Sequence, residues 1–111
     1  MDEIPILVFN SYTNADKSFQ QLIGWSVSEG CTGRLLDLTL RSNVDDKTLW
    51  KVILSGRDMK LPTDKRLPTP AELHYYGTQV SGPEAVVVQV ASADGTTITC
   101  SALLTAALET P

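Results

Sequence analysis

Apolar and polar residues alternate with period two along most of this chain. Ile4, Ile6 and Val8 alternate first, and Phe19, Ile23, Trp25 and Val27 share one parity next. Leu36, Leu38 and Leu40 alternate with Asp37, Thr39 and Arg41, and Trp50, Val52 and Leu54 follow. Val86, Val88 and Val90 form a fifth set, and Ile98, Cys100 and Ala102 a sixth. Period two places one set of side chains on a core face and the other in water, so each run predicts a β-strand. Helical spacing appears only between Ala102 and Leu108, where a strand fits equally well.

Turn residues divide the runs. Ser42-Asn43-Val44-Asp45-Asp46 and Asp94-Gly95 each predict a hairpin, pairing 33–42 with 47–56 and 85–92 with 96–104. Pro62, Pro68 and Pro70 keep any central strand out of the 60–71 loop, because proline lacks a ladder donor. The sum is an all-β chain of seven or eight short strands. It predicts an antiparallel β-sandwich, jelly-roll-like in preference to immunoglobulin-like, with residues 1–111 as one domain. No linker or internal repeat divides it.

Composition narrows the function. The chain of 111 residues has 42% hydrophobic and 20% charged residues and a net charge of −4. No basic footprint for nucleic acid is visible. No window approaches the ~18 consecutive apolar residues of a membrane helix. Acidic Asp2 and Glu3 argue against a secretory signal, so folding in a reducing cytoplasm with two free cysteines is expected.

Chemistry is sparse. His74 is the one histidine, and no G-x-S-x-G elbow or G-x-G-x-x-G loop occurs. Cys31 and Cys100 are too far apart in sequence for a zinc knuckle, and Asp45-Asp46 lacks the spacing of a calcium loop. No cofactor, metal or catalytic residue is therefore expected, and the chain reads as a non-enzyme. Trp25 and Trp50 sit among core positions, whereas of the neighbours Tyr75 and Tyr76 one should face out. Leu35, Leu49, Ile53 and Val87 lie on the parity opposite their strands' main apolar sets. Strands apolar on both faces point to contact with another chain. Candidate partner-binding residues are Ile4, Ile6 and Leu7, on a strand suited to β-augmentation, with Tyr75 and Tyr76.

The run Trp50 to Gly56, the connection ending Arg66-Leu67-Pro68-Thr69-Pro70, the Leu73-His74-Tyr75-Tyr76 segment, the valine strand and the Thr-rich last strand have a recognisable order. Over about residues 33–105 this layout resembles the small β-sandwich proteins of tailed-bacteriophage virions, the capsid decoration (cement) proteins above all, with fibre heads the lesser match. The resemblance implies a homotrimer that binds the major capsid protein, stabilises the capsid and resides in the virion. The alternative is a carbohydrate-binding or host-receptor-binding module using Tyr75 or Tyr76 with Asp58 and Asp64.

Overall fold

The alternating runs become strands. The computed structural model describes residues 3–54, 56–59 and 70–109. Along them run β1 (Glu3–Asn14), β2 (Gln20–Ser26), β3 (Thr32–Ser42), β4 (Thr48–Leu54), β5 (Arg57–Met59), β6 (Ala71–Ser81), β7 (Ala85–Ser92) and β8 (Ile98–Glu109). The ambiguous C-terminal segment is strand throughout, with Ala102, Leu104 and Ala106 buried at every second position.

Two four-stranded sheets form: sheet I in the order β1-β8-β3-β6 and sheet II in the order β2-β7-β4-β5. The antiparallel pairs are nested, β1 with β8, β2 with β7, β3 with β6 and β4 with β5. The chain thus doubles back once, between β4 and β5, and the doubled ribbon rolls up. Pairing of β3 with β8 and of β4 with β7 then completes the two sheets. This wrapping is a jelly roll, and the expected fold class holds.

The two predicted hairpins do not form. β3 and β4 lie in different sheets, as do β7 and β8. The residues between them carry the chain across the sandwich. After β3, Val44 N–H donates to Ser42 Oγ (3.2 Å), and Asp45–Lys47 make one 3₁₀ turn. Buried Thr48 donates its hydroxyl to the Val44 carbonyl (2.6 Å). After β7, the Ser92 hydroxyl donates to the Thr96 carbonyl (2.7 Å) and accepts from Gly95 N–H (3.1 Å). The two crossings lie side by side, joined by Ala93 N–H to the Lys47 carbonyl (2.8 Å) and by Lys47 Nζ to Asp94 (2.8 Å). Alternation had set which face each strand buries, and that constraint is met equally by a hairpin or by a crossing.

The core fills the space between the sheets. Leu35, Leu38, Leu40, Ala102 and Leu104 enter it from sheet I, and Trp50, Val52, Val86 and Val88 from sheet II, all at 0% exposure. Each leucine or valine among them contributes about 1.5–3 kcal/mol by leaving water. Parity along β3 switches once. A register shift between Leu35 and Asp37 in both its pairings lets Leu35 and Leu38 face inward and turns Leu36 out. Strict alternation places Leu36 in the core set and Leu35 outside. The bulge inserts one residue and inverts the order.

Candidate functional site

The outer face of sheet I collects side chains that have no place in the core. Residues paired across antiparallel strands share a face. The register therefore gives two rows across the sheet: Leu7, Thr105, Asp37 and His74, and beside it Phe9, Leu103, Thr39 and Glu72. Leu7 is 70% exposed and Phe9 62%, a high value for side chains of this size. Ile4, Leu36 and Tyr76 are the other large exposed apolar side chains among the described residues, and they too belong to strands of sheet I.

Tyr76 stands out because its backbone is bent. Leu35 pairs with Thr78 and Asp37 with His74, so three residues of β6 (Tyr75, Tyr76 and Gly77) oppose Leu36 alone. Tyr76 at φ 52° and Gly77 at φ 81° both take the left-handed conformation. That kink leaves Tyr76 90% exposed while Tyr75 packs against the core. Burial raises the Tyr75 pKa above its ordinary value. One tyrosine in and one out is the expected outcome.

The five sequence-predicted contact residues therefore divide. Leu7 and Tyr76 are strongly exposed and Ile4 partly so, whereas Ile6 and Tyr75 are half-buried against the core. Leu7 and Tyr76 stand on the two edge strands of sheet I, so they border the patch from opposite sides. The N-terminal strand is engaged with β8 from Glu3 to Asn14, and its inward Asn10 donates to the Leu22 carbonyl of sheet II (2.9 Å). It is thus an integral strand at the edge of sheet I. Phe9 was missed. Its signal is present in the sequence, two residues after Leu7 on the parity opposite Ile6 and Val8.

Other candidates lie elsewhere. Leu35 is core, while Leu49, Ile53 and Val87 are half-buried in sheet II. Ile53 and Val87 line a shallow depression with Gly56, Pro83 and Ala85. Trp25 and Trp50 are buried, so Tyr76 is the sole strongly exposed aromatic ring besides Phe9 among the described residues. Of the two loop acids, Asp64 lies outside the described residues, and Asp58 pairs through its backbone with Ile53.

Several titratable side chains of sheet I pair with one another. His74 Nδ1 lies 2.6 Å from Asp37 Oδ1, with Glu72 at 4.0 Å from Nε2 and the Tyr76 ring centroid at 5.9 Å. Arg34 lies 2.5 Å from Glu109 and 3.9 Å from Glu3. Cys31 and Cys100 are both free thiols. They belong to opposite ends of sheet I, since Thr32 pairs with Glu109 and Ser42 with Cys100. Ten residues of strand span about 33 Å, far beyond a disulfide's reach. Burial pushes the Cys100 thiol up to about 11. Comparison with protein-family models, curated proteins and solved structures gave no match.

Proposed function

We propose that this chain is a non-enzymatic structural protein of a virus particle. It binds the major capsid protein, associates with copies of itself, and acts through protein–protein contact. One observation carries the reading: every large apolar side chain left exposed among the described residues belongs to sheet I. Leu7, Phe9, Leu36 and Tyr76 share its outer face, and exposed apolar groups on one surface favour burial against another protein, since a lone monomer gains nothing from them. The jelly-roll wrapping supports the viral assignment by analogy alone, because that architecture serves capsid proteins and lectins alike. The lectin-like alternative has weaker support. A sugar platform uses several aromatic faces, and both tryptophans and Tyr75 are turned inward.

The test is a density gradient of a lysate from cells that produce the protein, probed with an antibody against it. The reading expects the chain to band with nuclease-resistant particles. A chain found only at the top of the gradient, in cells making such particles, would overturn it. So would glycan-array binding by the wild type that a Tyr76→Ala variant loses.

A further inference from the structure

We infer that the outer face of sheet I is covered by a second copy of this chain, packed sheet on sheet about a two-fold axis. The inference rests on the reading of that face as a protein contact surface, and it adds the occupant.

Extent is the first argument. Four strands at ~4.8 Å spacing and eleven residues at ~3.3 Å give a footprint of about 700 Å². Specific interfaces bury about 600–1,000 Å² per partner, and the whole face falls within that range. Sheets pack face to face when their twists match, crossing at about −30°. The same face of another copy has the matching twist by construction.

Charge is the second argument. Along the middle of β1 and β8 the outward residues Pro5, Leu7, Phe9, Leu103 and Thr105 are uncharged. On the rest of the face Arg34 is paired with Glu109, and His74 with Asp37. Arg41 and Glu72 also face outward, so groups of both signs are spread around that centre. A partner of strong single charge, such as a nucleic acid or an anionic membrane, would find no matching field. A partner with an uncharged centre and mixed charges around it fits, and this face is such a surface.

Symmetry is the third argument. One patch meeting its own equivalent is isologous and closes as a dimer, whereas a ring of three needs two different patches. The oligomer inferred is thus a dimer, in place of the trimer that the virion resemblance implies.

The test is light scattering of the whole chain from micromolar to millimolar concentration. The wild type should reach twice the chain mass. Phe9→Lys, Phe9→Glu and Tyr76→Glu each alter an exposed side chain, and circular dichroism checks that the fold persists. Each single variant should raise the dimer Kd about tenfold or more, because it sets an unpaired charge against apolar side chains. Mixing F9K with F9E should restore association if β1 lies over its own equivalent. Mixing F9K with Y76E should restore it if β1 lies over the partner's β6. A wild type that stays monomeric throughout, or variants that are all as dimeric as the wild type, would sink the inference. If a monomeric wild type still bands with particles in a Phe9-dependent way, the capsid is the occupant and the proposed function stands. If it does neither, both readings fall.

Discussion

Gly33 is where a single missing carbon holds the two sheets in contact. A Cβ there would lie 2.5 Å from Cη2 of Trp25 and 3.0 Å from Val27, both buried on the other side of the core. Gly33→Ala should therefore cost about 1–3 kcal/mol by overpacking, read from urea unfolding midpoints. Tyr76 makes the opposite case. Its left-handed backbone disfavours a side chain by roughly 1–2 kcal/mol, yet the side chain is exposed and supports little of the core. Tyr76→Gly should raise the melting temperature while lowering any association that uses this face. A fall in both would mean that the ring stabilises the monomer. Asp94 couples the crossings to pH. Hydrogen bonds from Lys47, then from the Thr96 hydroxyl and backbone N–H, hold its carboxyl well below the usual carboxylate range. A lowered folded-state pKa gives stability that is present above the unfolded value, about 4, and is lost as pH falls further. The stability gap between wild type and Asp94→Asn should thus be flat near neutrality and close below about pH 4. A gap unchanged down to pH 2 would refute the pairing.

At the scale of elements, the bulge in β3 decides which of two adjacent leucines matters. Leu35→Ala should cost about 2–5 kcal/mol, as core truncations do, and Leu36→Ala well under half of that. Equal costs would mean that the register of β3 is misread. Strand β1 covers the edge of β8 along its full length, with Ile6, Val8 and Tyr12 packed on the core. Deleting residues 3–9 should leave an aggregating chain, because it uncovers both core side chains and the unpaired ladder groups of β8. The thiols report on the same end-to-end arrangement. Cys31 is half-exposed beside the start of β3, while Cys100 is buried in β8 with its pKa pushed up to about 11. Near pH 8 a thiol reagent should titrate one cysteine in the folded protein and the second only on unfolding. Two fast thiols, or none, would contradict that placement.

The whole molecule is dominated by contacts between distant parts of the sequence, since its ends pair as β1 with β8. Folding should accordingly fall in the millisecond-to-second range of non-local β-sandwiches. The dimer inferred above belongs to this scale too, because its surface exists only once four strands far apart in sequence lie side by side.

The sequence by itself determined the strands, the sandwich class and most of the core. Period-two alternation is a local property, and it survives in the inward-facing Val86, Val88 and Val90 and in Ile98, Cys100 and Ala102. It also exposed Leu7 and one of the two tyrosines. The tertiary structure alone decided which strands are neighbours, because a hairpin and a crossing bury the same parity. It alone inverted Leu35 and Leu36, because a bulge depends on a partner's register. It turned Tyr75 in place of Tyr76 inward and gathered Leu7, Phe9, Leu36 and Tyr76 on one sheet. Those four come from three strands whose order, with β8 set between β1 and β3, is fixed by how the doubled chain rolls up. Alternation assigns each residue a side, and only packing assigns that side a neighbour.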